Sequence, residues 1–135
     1  MKHNVDYRVY YEDTDAVGIM YHANFISFCE RGRSEMLRDI GYPASQTLKD
    51  LGVGFVVRHI DCGYLQMVKL DDLLTVETTI KEIKNTSFVM EQNILCQNKV
   101  AFRMDITLVC MSPEGKPARI PDALRNKFDE FKIEN

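Results

Sequence analysis

The stretch YEDTDAVGIMYHANF, residues 11–25, stands where the periodicity of this chain changes. Upstream of it, apolar and polar residues alternate over residues 5–11, which predicts a β-strand. Downstream, apolar residues recur at three- and four-residue steps as far as Ile40, which predicts an α-helix with one apolar stripe. The acidic segment that ends in Gly18 is therefore predicted to be the loop that joins a strand to a long helix.

The helix is predicted over about residues 24–40, with Asn24 as its N-cap. Gly41 and Pro43 supply its stop, and at 1.5 Å per residue it would be about 25 Å long. Gly32 in its middle costs about 1 kcal/mol relative to alanine, which indicates that another part of the backbone passes close by. Because only one face of the helix is apolar, that face requires a sheet to cover it.

Most of the remaining chain is predicted to be β-sheet. Four segments alternate with a period of two and predict a four-stranded antiparallel meander, over residues 55–64, 74–83, 88–96 and 100–110. Short helices are predicted over residues 45–51 and 122–131. The sequence has no linker and no internal repeat, so residues 1–135 are predicted to form a single α+β domain.

The composition argues against several classes of protein. A net charge of −3 supplies no bulk positive charge for binding nucleic acid. Nowhere do eighteen apolar residues run together, so no transmembrane helix is expected. The opening residues are polar and unlike a signal peptide, so a cytoplasmic location is expected. The cysteines form no CxxC pair, which argues against a zinc or redox motif and for free thiols in the core: Cys29, Cys62, Cys96 and Cys110.

The loop places three carboxylates within four residues, at Glu12, Asp13 and Asp15. From their spacing alone, a solvated acidic loop is a full alternative to a functional site. The functional interpretation is that crowded carboxylates favour proton-transfer or nucleophilic chemistry at one of them. The free N–H groups of a helix N-terminus would lie just beyond, where they could stabilise an oxyanion.

A calcium-binding loop is the other alternative for these acids. Asp13, Asp15 and Gly18 match its first, third and sixth positions. Val17 stands at the fifth position, where an oxygen ligand is needed, and Asn24 stands where the bidentate glutamate belongs. The pattern therefore does not predict a calcium site, and no metal is expected.

The stretch of residues 11–25 resembles the signature of the 4-hydroxybenzoyl-CoA thioesterase family, in particular its Tol-Pal-cluster acyl-CoA thioesterases. That signature is an aspartate, two residues, a glycine, and then a Tyr-His-x-Asn-aromatic run entering the long helix. Asp15, Gly18, Tyr21, His22 and Asn24 match it. Weaker similarities extend the resemblance over residues 5 to about 131, at FCERGR (28–33), FVVR (55–58), LDDLL (70–74) and RIP (119–121). The aromatic position of the run holds phenylalanine where tyrosine is common in the family.

The resemblance implies a hotdog fold, in which an antiparallel sheet wraps around one long helix. It also implies a homodimer or homotetramer with active sites at the subunit interface, an acyl-CoA substrate, and no cofactor besides the departing CoA. Asp15 would be the catalytic carboxylate, and the backbone N–H of His22 would face the thioester carbonyl. Tyr21 and Asn24 would shape the acyl pocket and the helix entry. CoA contacts would come from the turn and strand start at Lys84, Asn85, Thr86 and Ser87.

Three alternatives stay open beside acyl-CoA hydrolysis by Asp15. A non-catalytic acyl-CoA sensor could use the same pocket, although a pure binder has no need of Asp15 at the thioester. A hydrolase or dehydratase acting on acyl carrier protein is the second, although the histidine–acid pair expected of the dehydratase is not found. A catalytic glutamate on the helix, Glu30 or Glu35, is the third, although ion pairs with neighbouring arginines are the simpler role for both. At Asp15, a nucleophile and a general base are both compatible with the sequence.

Overall fold

The structure is a computed structural model that describes residues 1–133. Residues 1–133 form five strands and three α-helices, with a short 3₁₀ turn at Tyr11–Asp13. In order they are β1 (His3–Arg8), α1 (His22–Asp39), α2 (Ala44–Leu51), β2 (Gly54–Tyr64), β3 (Leu73–Ile83), β4 (Ser87–Cys96), β5 (Lys99–Met111) and α3 (Asp122–Asp129). Every predicted helix and strand is present.

All five strands pair antiparallel in one sheet, in the order β1-β3-β4-β5-β2. Strands β3, β4 and β5 form the predicted meander, but the prediction that β2 is its first strand is wrong. Residues 65–72, which follow β2, are a long connection rather than a tight turn. This connection carries the chain across the sheet, so that β2 pairs with β5 at one edge while β1 and β3 pair at the other.

Helix α1 packs mainly against β1, β3 and β4 and is wrapped by the sheet. Its apolar stripe is buried as predicted, through Phe25, Phe28, Cys29, Gly32, Met36 and Leu37. At Gly32 a Cβ atom would lie 2.5 Å from Cγ1 of Val76 in β3, which explains the glycine at the centre of the helix. The predicted hotdog arrangement of one antiparallel sheet around one long helix is confirmed.

Several element boundaries differ from the predictions. The first strand ends at Arg8 instead of continuing to residue 11, because the Asp13 carboxylate accepts the N–H of Tyr10 at 2.9 Å and turns the chain. Helix α1 begins two residues earlier than predicted, with Tyr21 as the N-cap. The prediction of Asn24 as N-cap is therefore wrong. The terminal helix ends at Asp129.

The sequence predicted that no helix spans a membrane and that the four cysteines are free thiols in the core. Within residues 1–133, no helix is both long enough and apolar enough to cross a membrane. All four cysteines are free, and Cys29 and Cys110 are buried in the core as expected. Cys62 is exposed on β2, so the expectation of a core position is wrong for that residue. Burial raises the pKa of the Cys29 thiol to about 12, which keeps it protonated and unreactive.

Candidate active site

The loop between the 3₁₀ turn and α1 is a small closed hairpin. Thr14 and Met20 form an antiparallel bridge, and the N–H of Asp15 donates to the carbonyl of Ile19 at 2.9 Å. Gly18 closes the turn with φ +82°, a conformation that L side chains rarely adopt. The chain thus returns on itself, and Asp15 is the first residue of the turn, where its carbonyl accepts the N–H of Gly18 at 3.1 Å.

The carboxylates of this loop have different roles. Asp15 is exposed, and its Oδ1 accepts a local bond from the N–H of Val17 at 2.9 Å. Asp13 is 3% exposed and is fully engaged in holding the structure. Its Oδ2 accepts from the N–H of Tyr10 at 2.9 Å and its Oδ1 from the Asn24 side chain at 3.0 Å. One carboxylate therefore fixes the loop and the other is free to face a ligand.

The loop is fastened directly to the first turn of α1. The carbonyl of Asp13 accepts the N–H of Tyr21, the N-cap residue, at 2.9 Å. His22 and Ala23 are the first two helical residues, and no side chain caps this end of the helix. Among residues 1–133, the N–H groups of His22 and Ala23 have no backbone acceptor. They are the orphan donors of a helix N-terminus, which carries partial positive charge.

Asp15, Tyr21 and His22 meet around a single cavity of about 460 Å³ that opens to solvent. The predicted catalytic pair, Asp15 and His22, therefore lines the same cavity. The remaining lining is largely apolar: Ile19, Met20, Phe25, Tyr64, Leu65, Gln66 and Met67. A carboxylate, free helix N–H groups and an apolar wall are the parts required to bind a thioester and polarise its carbonyl.

Tyr64 is a member of this cavity that sequence reasoning missed. It ends β2, and its hydroxyl donates to the carbonyl of His22 at 2.8 Å. Its ring packs edge-on against Phe25, with the centroids 5.4 Å apart. Partial burial raises the pKa of the Tyr64 phenol, so the hydroxyl stays protonated and continues to donate at neutral pH. The contact joins residues 42 positions apart, which no local pattern could have indicated.

Neither helix glutamate lines the Asp15 cavity. Glu35 is paired with Arg38 on the helix surface, with 3.5 Å between Oε2 and Nε, which is the ion-pair role predicted for it. Glu30 lines a separate, smaller cavity with Arg33 and Ser34. Within the described residues, no three His, Cys, Asp or Glu side chains converge as a metal site.

Lys84 and Ser87 lie at the far end of the sheet from Asp15. Ser87 is opposite Val109 of β5, whereas Tyr64 at the cavity is opposite Phe102 of β5. Seven residues along a strand, at 3.4 Å each, span about 24 Å. Lys84 is exposed and its ammonium lies 3.8 Å from Glu82 Oε1, while Ser87 is 7% exposed. Within one chain, these two residues are not brought to the cavity.

Comparison with known proteins agrees with the fold. The sequence profile of the thioesterase-like superfamily matches residues 9–128. The chain belongs to this superfamily.

Two curated relatives match over nearly their whole length. The acyl-CoA thioesterase YbgC of Haemophilus influenzae is 35% identical over 126 residues, which is 93% of each chain. The acyl-CoA thioester hydrolase YbgC of Escherichia coli O157:H7 is 38% identical over 125 residues, covering 91% of this chain and 92% of the relative. Among solved structures, a probable thioesterase from Bartonella henselae superposes with a TM-score of 0.86 at 36% identity, over 90% of this chain and all of that one.

Proposed function

We propose that this chain hydrolyses acyl-CoA thioesters at the Asp15 cavity. Asp15 acts as nucleophile or general base, and the first N–H groups of α1 form the oxyanion site. The observation that carries the proposal is that an exposed carboxylate, Asp15, and the first residue of α1, His22, whose N–H has no backbone acceptor among residues 1–133, line one largely apolar cavity. The acyl-CoA activity named for the YbgC relatives supports the choice of substrate.

The carbonyl oxygen of the thioester would lie against the N–H of His22. Attack at the carbonyl carbon places negative charge on that oxygen, and preorganised N–H donors stabilise the charge as it develops. Tyr64 supports this step indirectly, because its bond to the His22 carbonyl holds the peptide group that carries the Ala23 N–H, the second free donor at the start of α1. Tyr21 and Asn24 belong to the same entry: Tyr21 lines the cavity, and Asn24 anchors α1 to the loop.

Asp15 has two possible routes to the same products. Direct attack gives a mixed anhydride and releases the CoA thiolate, after which water hydrolyses the anhydride. In the other route, Asp15 takes a proton from water, which attacks the carbonyl while the thiolate departs. Either route yields the free acid and CoA, and the thiolate takes up a proton. The chemistry calls on no cofactor.

The decisive test of the proposal is loss of the Asp15 carboxylate. Asp15→Ala and Asp15→Asn should each lower kcat for acyl-CoA by at least about a hundredfold, because neither residue is a base or a useful nucleophile. Glu12→Gln, which neutralises an exposed acid three residues away in the same loop, is the matched control and should stay near wild type. Near-normal turnover in Asp15→Ala with loss in Glu30→Gln would move the chemistry to the helix glutamate. Retained acyl-CoA binding with no turnover in the wild-type protein would support a sensor.

Two copies of this single hotdog domain would complete the site. Val56 and Val57 on the edge strand β2, and Leu65 and Met67 at the cavity rim, are exposed apolar side chains, and a small domain buries only part of its surface. A second copy at this edge could bring its Lys84 turn toward the cavity, which one chain alone does not do. Sedimentation at micromolar concentration should show a dimer or tetramer. A monomer that hydrolyses acyl-CoA at full rate would contradict a shared site.

CoA is proposed as the carrier in preference to acyl carrier protein, and the cytoplasm as the location. The four free thiols suit a reducing compartment. The carrier is tested by comparing kcat/KM for one acyl group on CoA and on acyl carrier protein. A higher value on the carrier protein would reverse the assignment.

A further inference from the structure

The β3–β4 turn, residues 84–87, has its carbonyl groups tied into the protein. Nη2 of Arg125, on α3, donates to the carbonyl of Lys84 at 2.9 Å and to the carbonyl of Asn85 at 3.2 Å. The N–H of Ile120 also donates to the Asn85 carbonyl, at 3.0 Å, and the N–H of Cys110 donates to the Thr86 carbonyl at 2.8 Å. Three successive carbonyls of the turn are therefore held by groups of α3, of the segment before α3 and of β5.

This arrangement fixes the direction of the N–H groups. The chain has no cis peptide bond in its described part, and across a trans peptide the C=O and the next N–H point in opposite directions. Since the carbonyls of Lys84 and Asn85 face Arg125, the N–H groups of Asn85 and Thr86 face away from it. Among residues 1–133, neither N–H has a backbone acceptor. Successive backbone N–H groups that face the same way form a concave donor site for an anion.

Charge at the turn agrees with an anionic ligand. The Lys84 side chain is 64% exposed and is placed at the first residue of the turn. The Arg125 guanidinium lies directly behind the turn, and its Nε is buried with no partner among the described residues. Leu124 and Phe128, on either side of Arg125 in α3, are fully buried, so the helix that carries the guanidinium is anchored in the core.

We propose that Arg125 is a positioning residue for the nucleotide end of acyl-CoA: it orients the turn so that the Asn85 and Thr86 N–H groups, with Lys84, bind a phosphate. The inference rests on the proposed function, because it takes the CoA nucleotide as the ligand. Arg125 itself touches the turn and not the phosphate. The phosphates that the turn holds would lie far from the reacting carbonyl. Arg125 should therefore affect substrate binding and not the chemical step.

The experiment compares Arg125→Gln with Arg119→Gln on two substrates. Arg119 is an exposed arginine near α3 that is paired with Asp122 at 2.9 Å, so its loss removes the same charge without touching the turn. The substrates are an acyl-CoA and the N-acetylcysteamine thioester of the same acid, which lacks the nucleotide. Arg125→Gln should raise KM for acyl-CoA about tenfold with kcat within about twofold, and should leave the truncated thioester unchanged. Arg119→Gln should match wild type on both.

If Arg125→Gln lowers kcat/KM equally for both substrates, or for neither, the proposal is overturned and Arg125 is only an anchor of α3. If Arg125→Gln does not fold, Arg125→Lys takes its place, since it keeps the charge but its Nζ ends one bond short of Nη2. A KM for acyl-CoA equal to wild type in a folded Arg125→Lys protein would also overturn the proposal.

Calorimetric titration with adenosine 3′,5′-bisphosphate separates this inference from the chemistry at Asp15, because it requires no turnover. Arg125→Gln, or Arg125→Lys in its place, should weaken binding of the bisphosphate, whereas Asp15→Ala should not. Unchanged binding in the Arg125 variant would overturn the positioning role even if Asp15 proves catalytic. Weakened binding would support it even if Asp15 proves dispensable.

Discussion

The side-chain amide of Asn24 donates to Oδ1 of Asp13 across 3.0 Å, and this bond joins the first turn of α1 to the acidic loop. Asp13 is buried, whereas Asp15, two residues on, is exposed. The buried acid thus sets the position of the exposed one relative to the helix N–H groups. Residues that never touch the substrate would in this way control the geometry of the proposed reaction.

Removing the Asn24 amide should therefore affect both stability and rate. Asn24→Ala leaves Asp13 Oδ1 buried without its donor, which should lower the free energy of unfolding by about 1–3 kcal/mol. It should also lower kcat several-fold, because the loop that carries Asp15 is no longer fixed to α1. Denaturant unfolding and steady-state kinetics measure the two effects.

Asn4→Ala, at an exposed position of β1, is the control for this prediction. It should change neither quantity. If Asn24→Ala lowers the free energy of unfolding by the expected amount but keeps the wild-type kcat, the loop holds its position without this bond.

Tyr64→Phe tests whether the hydrogen bond from Tyr64 to the His22 carbonyl contributes to stability and turnover. The substitution removes one hydrogen bond, to the His22 carbonyl, while keeping the ring against Phe25. Unfolding should cost about 0.5–1.5 kcal/mol less, and kcat should fall by a few-fold with KM little changed. Tyr10→Phe, at an exposed tyrosine outside the cavity, serves as the control. A rise in KM with kcat unchanged would instead make Tyr64 a substrate contact.

The long helix and the loop were predictable from the sequence because their signals are local. The three- and four-residue apolar steps specify which face of α1 is buried, and Gly32 marks where β3 approaches. The same holds for the part of the cavity that comes from one contiguous segment: Asp15, Tyr21 and His22 lie within eight residues of one another. Their meeting requires only that the loop returns on itself.

The position of β2 and the other cavity wall were not predictable, because they depend on pairings distant in sequence. Alternation identifies β2 as a strand but carries no information on its neighbour, and β2 pairs with β5 rather than with the next strand, β3. That choice places Tyr64 beside His22. The same physics explains the helix boundary: Asn24 resembles an N-cap locally, but its side chain bonds to Asp13 instead.

Gly32→Ala should destabilise the fold through a steric clash with β3. The added Cβ would lie 2.5 Å from Cγ1 of Val76 and 3.2 Å from its Cβ. Overpacking of this kind costs about 1–3 kcal/mol, of which the better helix propensity of alanine offsets at most about 1 kcal/mol. Chemical denaturation of Gly32→Ala should therefore show a net loss of stability.

A double-mutant cycle with Val76→Ala identifies the partner in that clash. Trimming Val76 removes the nearer contact, so Gly32→Ala should cost less in the Val76→Ala background than in wild type. Equal costs in the two backgrounds would place the strain elsewhere.

Lys84→Ala tests the nucleotide contact at the turn directly. A remote phosphate contact binds ground state and transition state alike, so KM for acyl-CoA should rise about five- to tenfold while kcat stays nearly constant. The N-acetylcysteamine thioester of the same acid should be unaffected. Lys81→Ala is the control, since Lys81 is an exposed lysine of β3 whose ammonium is already paired with Asp105 at 2.6 Å. Its loss removes the same charge from β3, the strand next to the turn, and leaves the turn itself unchanged.

Glu82, which lies beside Lys84, gives the converse test, in which the affinity for acyl-CoA should increase. Glu82 Oε1 lies 3.8 Å from the Lys84 ammonium and competes with a phosphate for it. Glu82→Gln frees the lysine and removes a negative charge from the anion's surroundings, so KM for acyl-CoA should fall, and the fall should shrink as salt screens the charge. In the double variant with Lys84→Ala, most of this gain should vanish, because the lysine it acts through is gone. An undiminished gain would mean that Glu82 acts on the substrate by itself, and an equal change on the truncated thioester would remove both residues from the nucleotide site.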